Sequence, residues 1–275
     1  MTEPIPMKES ITPNGRVALV TGAARGIGAA TVRDLARHGW SVLAVDVVRD
    51  DPAIGYPMGT EAELAAVVES VDAGGRVQAF EADVRDAAAL DAAVARAEEL
   101  WGGLDAAVAA AGVIAGGAPL WEVPREQEQA VLDVVLGGVI NLAHSAIPAL
   151  LRRPPPRSGR FIAITSAGAT RGLPMLAAYC AAKSGVAGLI RALAVELGPS
   201  GVTANAVSPG STATRMLDRS AELYGLADAE AFASQQPLQR LLDPGEIAAA
   251  VTFLAGTASS AMTGADVCVD GGLAL

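Results

Sequence analysis

Seven short, nearly unbroken apolar runs alternate with longer segments of helical period, and this rhythm restricts the fold more than any other feature of the chain. The runs are Val17–Thr21, Ser41–Asp46, Val77–Phe80, Leu104–Ala109, Arg160–Thr165, Val202–Val207 and Val267–Val269. Helical patterns fill the intervals at Gly26–His38, Glu61–Val71, Ala87–Leu100, Gln127–Leu151, Ala177–Leu197 and Pro244–Ala255. Continuous rather than alternating apolar runs belong to strands buried on both faces. A strand–helix–strand succession needs right-handed crossovers, which lay helices over both faces of a parallel sheet. The reading is α/β: one doubly wound parallel sheet of about seven strands, in a single domain over 15–275. With 275 residues such a domain buries roughly three quarters of its unfolded surface and needs no disulfide staples. A composition 51% apolar and 18% charged excludes wholesale disorder.

Two segments break the rhythm. One is the loop 47–60 after the second run; the other is 211–238, read as mostly helical. Both follow strand C-termini, where open α/β sheets bind ligands. Residues 1–14 are polar and rich in proline, without the apolar core of a signal peptide, and read as a flexible tail. A net charge of −10 argues against nucleic acid and anionic membrane as partners. Val134–Leu151 carries no formal charge, but Asn141, His144, Ser145 and Pro148 interrupt it, so it reads as a buried or interface helix and not as a membrane span. Cys180 and Cys268 form no disulfide framework, which fits a reducing, cytoplasmic setting, and Cys268 reads as a small core residue. His38 and His144 lack metal-ligand companions, so no metal site is expected.

Directly after the first run stands Thr21-Gly22-Ala23-Ala24-Arg25-Gly26-Ile27-Gly28, followed by a helix. Glycines let the backbone turn sharply and approach a pyrophosphate, and the helix N-terminus presents free N–H groups to it. Any tight strand–helix turn can use such a cluster; its place near the N-terminus makes it a nucleotide signal. Asp46 ends the second run, where a carboxylate accepts from both ribose hydroxyls and repels a 2′-phosphate, favouring NAD over NADP. Arg25 and Arg49 partly offset that repulsion, and a merely solvated Asp46 is the bland alternative. Asp83 and Val84 follow the third run, where an Asp reaches an adenine amino group; Asp86 is the competing N-cap of the next helix.

Tyr179 and Lys183 lie four residues apart, on one helical face, with Ser166 upstream at the end of the fifth run. Y-x-x-x-K alone means little. Joined to the glycine turn, to Asn205-Ala206-Val207-Ser208-Pro209-Gly210 and to Asp270-Gly271-Gly272, it resembles the short-chain dehydrogenase/reductase family from Val17 to Gly272. The resemblance implies a Rossmann-type fold and an enzyme interconverting a secondary alcohol and a carbonyl compound with NAD(H). It implies Ser166, Tyr179 and Lys183 as catalytic residues. It implies cofactor contacts from Gly22, Ala24, Arg25, Gly26, Ile27, Gly28, Asp46, Asp83, Val84, Ala110, Gly112, Tyr179, Lys183, Pro209, Gly210, Thr212 and Thr214. Tyr179 would be the acid/base. An ordinary phenol pKa near 10 has to fall by roughly three for work at neutrality, about 4 kcal/mol, and Lys183 with the nicotinamide charge would lower it. Ser166 would orient the substrate oxygen, and Lys183 would also hold the nicotinamide ribose.

The chain departs from the family in two places. The Asn-Asn-Ala-Gly after the fourth run is Ala109-Ala110-Ala111-Gly112, and Val135 replaces the helix Asn that supports a water beside the lysine. A narrower resemblance, to the mycofactocin-dependent subfamily, rests on Tyr56-Pro57-Met58-Gly59-Thr60 in the 47–60 loop. Segments 107–120, 173–184 and 211–217 agree with it. It implies retained NAD(H) and mycofactocin as external electron acceptor; a loop of this length beside Asp46 is long enough to cover the adenosine and close its exit, and a tolerated surface insertion is the bland alternative. Trp121, Met216, Leu217, Leu223, Tyr224 and Leu226 are expected to form an apolar lid over a small apolar alcohol or ketone. Family members pair through two long helices, here 127–151 and 177–197, which implies a homotetramer. An ordinary reductase exchanging NAD(H) freely and a non-catalytic NAD-binding protein are the alternatives.

Overall fold

The computed structural model describes residues 13–71 and 74–275, so most of the 1–14 tail lies outside the described residues. Seven strands form one parallel sheet in the order β3-β2-β1-β4-β5-β6-β7. They are β1 Val17–Thr21, β2 Ser41–Asp46, β3 Val77–Glu81, β4 Ala106–Ala109, β5 Arg160–Ile164, β6 Thr203–Pro209 and β7 Asp266–Val269. The helices are α1 Gly26–Arg37, α2 Glu61–Val71, α3 Ala87–Trp101, α4 Arg125–Leu132, α5 Gly138–Arg152, α6 Ala177–Leu197, α7 Arg215–Leu223 and α8 Pro244–Ala255.

The sheet is as apolar as the sequence reading requires. Every residue of β1, β4, β5 and β6 is buried, because helices cover both faces. On one side Leu90, Val94, Leu142, Leu150, Val186 and Ile190 pack against Leu19, Leu43 and Phe161. On the other, Val32, Leu35, Ile247 and Val251 pack against Val20, Val42, Val108 and Ile162. A third cluster lies at the carboxyl end of the sheet and joins Ile54, Val113, Ile114, Val131, Val135, Leu176 and Tyr179. The segments 125–152 and 177–200 are long and apolar enough to cross a membrane; here each lays a buried face against the sheet layer.

Register brings the strand ends level. Thr21 pairs with Val45 on one side and Ala109 on the other, and Asp46 pairs with Glu81. The chain winds outward from β1 to β3, then returns to place β4 on β1's other edge. The loops after β1 and β4 therefore part at a crevice, the usual ligand position in such a sheet.

The structure corrects three expectations. The helix expected over 127–151 is two helices joined by a wider π turn at Asp133–Gly137, a form that recurs at functional sites. Cys268 is exposed, because β7 is an edge strand with a half-open face. Trp121 is 84% exposed, so it does not belong to a lid.

Candidate active site

A continuous cavity of about 660 Å³ runs along the carboxyl end of the sheet, from Gly22, Asp46, Asp83 and Val84 to Ser166, Tyr179, Leu217 and Tyr224. The glycine turn forms one end. Gly22 has φ +68°, and a Cβ there would stand 2.7 Å from the Ala111 backbone. A Cβ on Gly28 would overlap the Gly22 carbonyl oxygen, so this helix–strand approach is open only to glycine. Arg25 precedes α1 in extended conformation and caps it with no side-chain bond, leaving the first N–H groups of α1 facing the cavity end.

Asp46 is held by backbone. Its Oδ2 accepts from the Ala24 N–H at 2.9 Å and its Oδ1 from the Val47 N–H at 2.8 Å. The two arginines that might have welcomed a 2′-phosphate are committed elsewhere: Arg25 donates to the Pro57 carbonyl at 2.6 Å, and Arg49 pairs with Glu81 and Asp83. Asp83 lines the cavity, but its carboxylate already accepts from Arg85 at 2.7 Å, and these partners outweigh burial to hold it below the usual carboxylate range. Asp86, not Asp83, caps α3, accepting from the Ala88 and Ala89 N–H groups. Val84 is fixed by Asn141, whose amide donates to the Val84 carbonyl at 2.9 Å.

The missing asparagines after β4 have a substitute that the sequence reading overlooked. The Thr21 hydroxyl accepts from the N–H groups of Ala110 and Ala111 at 3.2 and 3.3 Å, and so ties the β4 loop to the glycine turn. Gly112 follows, close to the Lys183 ammonium. At Pro209–Thr214, Gln236 is a second overlooked organiser. Buried, it accepts from the Ser211 N–H at 2.8 Å and donates to the Arg240 carbonyl. The Thr212 hydroxyl donates to the Gly210 carbonyl, and Thr214 is the N-cap of α7.

The Ser166, Tyr179 and Lys183 trio converges at the other end. Ser166 follows β5 by two residues, in extended backbone, and its Oγ accepts from the Gly168 N–H at 3.0 Å. Tyr179 is 7% and Lys183 5% exposed. The Lys183 Nζ donates to the Ile164 carbonyl at 2.7 Å and lies 5.7 Å from the Tyr179 ring centre. Burial opposes charge on both groups. It pushes the phenol up to about 12, against the pull of the Ser166 hydroxyl. It draws the lysine down to about 8, with Asp266 opposing. The expected lowering of the phenol pKa is therefore not built into the apolar surroundings of Tyr179. A bound nicotinamide cation would favour the phenolate and lower that pKa.

Val135 also finds its reason here. It is fully buried, in one apolar cluster with Ile54, Tyr56 and Met58 of the 47–60 loop. Where the family has an amide, this chain has a socket for its inserted loop. The rest of the expected lid holds in part. Met216, Leu217, Tyr224 and Leu226 line the cavity, and Leu223 packs beside it on Gly117.

A nucleotide-cradling turn at one end of a cavity and a buried proton-exchanging phenol at the other make a dinucleotide-dependent oxidoreductase of the Rossmann class. Comparison with known proteins narrows this. Residues 22–274 match the family described as enoyl-(acyl carrier protein) reductase. The chain is 41% identical over 260 residues to the short-chain reductase protein NovJ of Streptomyces niveus, with 93% of each chain covered. It is 35% identical over 266 residues to an NAD-dependent oxidoreductase of Mycobacterium tuberculosis, covering 94% of this chain and 96% of that one. Carveol dehydrogenase from Mycobacterium avium, solved in complex with NAD, superposes with a TM-score of 0.88 at 33% identity, covering 97% of this chain and 99% of that one. The chain belongs to the short-chain dehydrogenase/reductase family.

Proposed function

We propose that the protein interconverts a small, largely apolar secondary alcohol and its carbonyl compound with NAD(H). The observation that carries this is the buried Tyr179 and Lys183, with the half-buried Ser166 beside them, at one end of a cavity whose other end is the glycine turn and Asp46. The glycine cradle, the uncapped start of α1 and the backbone-held Asp46 fit a pyrophosphate and an unphosphorylated ribose. NAD supplies the hydride acceptor for alcohol oxidation and the donor for the reverse. In oxidation Tyr179 takes the hydroxyl proton of the substrate, Ser166 holds the same oxygen, and Lys183 steadies the phenolate while anchored to the Ile164 carbonyl. Tyr179→Phe should lower kcat at least 100-fold, the scale of general acid–base catalysis. Activity surviving that change undiminished overturns the mechanism.

The finer reading is that NAD(H) stays bound and electrons pass to mycofactocin. Its support is the 47–60 loop. Asp51 pairs with Arg85 at 2.6 Å, Arg25 holds the Pro57 carbonyl, and Gly59 is packed so closely over Asp46 that a Cβ would stand 3.1 Å from its Oδ1. Such a strap lies over the ribose end of the cavity. The cytoplasmic, reducing setting is part of the same reading and is supported by two cysteines that are both free. The test is to purify without nucleotide, dialyse, denature and assay NAD(H). About one equivalent per chain is expected; an empty protein that binds NADH reversibly favours the ordinary, freely exchanging reductase.

A further inference from the structure

The chain has three tyrosines, and all three line the cavity. Tyr179 is the acid/base. The Tyr224 hydroxyl donates to the Pro174 carbonyl at 2.8 Å. Tyr56 differs from both. It is carried into the cavity by the 47–60 loop, its oxygen accepts from the Ile114 N–H at 3.3 Å, and its own proton finds no acceptor among the described residues.

The ring of Tyr56 is fixed from several sides. It belongs to the apolar cluster of Val113, Ile114, Val131, Val135, Leu173, Met216 and Tyr179. These residues border the catalytic end of the cavity, whereas Gly59, three positions on, lies over Asp46 at the ribose end. The loop therefore spans the site and places Tyr56 among the groups that would face a substrate. On α7 the Arg219 guanidinium comes against Gly55, which braces this placement from the lid side. A half-buried hydroxyl with a spare proton in an apolar chamber is an unmet polar group, and it costs least when a ligand oxygen takes that proton.

We propose that Tyr56 is a substrate-specificity residue: its hydroxyl donates a hydrogen bond to a second oxygen of the substrate, distinct from the one that exchanges its proton with Tyr179. The preferred substrate class is then an apolar alcohol bearing a second hydroxyl, ether or carbonyl group, rather than a plain hydrocarbon alcohol. This rests on the alcohol dehydrogenase reading above.

The test pairs plain secondary alcohols with their hydroxylated counterparts, such as cyclohexanol and the cyclohexanediols, or a monoterpene alcohol and its diol. Wild type and Tyr56→Phe are followed by NADH fluorescence in single turnovers and with an artificial electron acceptor. Phenylalanine keeps the apolar packing and removes only the hydroxyl. The expected result is a diol preference in the wild type that falls about tenfold in the variant, mainly through a higher KM, the scale of one hydrogen bond left unmade. A diol preference absent from the wild type or unchanged in the variant overturns the proposal. So does an equal loss for both members of each pair accompanied by faster NAD(H) release, which would make the hydroxyl a loop anchor only. A wild type that oxidises no alcohol of the panel overturns the parent reading as well, so the two failures are distinguishable.

Discussion

At the scale of single residues, burial dominates the site. Tyr179 and Lys183 occupy the same dry pocket, and both are biased toward their neutral forms, the phenol to about 12 and the amine to about 8. Alcohol oxidation needs the phenolate, so its rate should climb with pH through the neutral and alkaline range, while carbonyl reduction, which starts from the protonated phenol, should change little over the same range. A rate of oxidation flat with pH argues that Tyr179 is not the base. The lysine has a consequence for stability. Its folded pKa lies below the ordinary 10.5, so between about 8 and 10.5 the unfolded chain binds more protons, and stability rises with pH over that window. Below it the buried charge costs on the order of 3 kcal/mol, offset in part by the bond to the Ile164 carbonyl. Lys183→Met should therefore raise Tm at neutral pH while it disables catalysis, and its advantage should shrink above pH ~8. A lower Tm at neutral pH would show that the carbonyl bond outweighs the buried charge.

At the scale of elements, the segments that break the βα rhythm are those that close the site. The 47–60 loop is clasped at Asp51–Arg85 and at Arg25–Pro57, and α7 meets it at Gly55 through Arg219. The Asp51–Arg85 pair is partly open to solvent, and such pairs contribute no more than about 1 kcal/mol. Arg85→Ala should then speed NAD(H) release about fivefold, and high salt should mimic it in the wild type. Release unaffected by both would leave the clasp without a part in retention. The π turn at Asp133–Gly137 and the socket around Val135 belong to the same arrangement: an apolar side chain at 135 completes the cluster that seats Ile54 and Tyr56.

At the scale of the whole molecule, the exposed Val195 of α6, 81% open, and the uncharged stretch of α5 suit a helix-paired assembly. Sedimentation at the mass of a tetramer is expected, and a monomer at micromolar concentration would overturn that expectation. The sheet and its order of elements were legible because period and punctuation are local properties: buried parallel strands must be apolar, and crossovers must be helical. The glycine turn and the Tyr179–Lys183 pair were legible for the same reason, since each is a short segment whose spacing fixes its geometry. What only the tertiary structure decided are partnerships between distant segments. Thr21 stands in for absent asparagines because β1 and β4 are neighbours in the sheet. Gln236 organises the loop at Ser211, and Asp83 is claimed by Arg85 and Arg49 before any ligand arrives. Trp121 faces solvent and Tyr56 lines the cavity, although the place of Trp121 after the fourth apolar run favoured the tryptophan. No periodicity encodes such pairings, because they depend on where two loops meet after the sheet has closed.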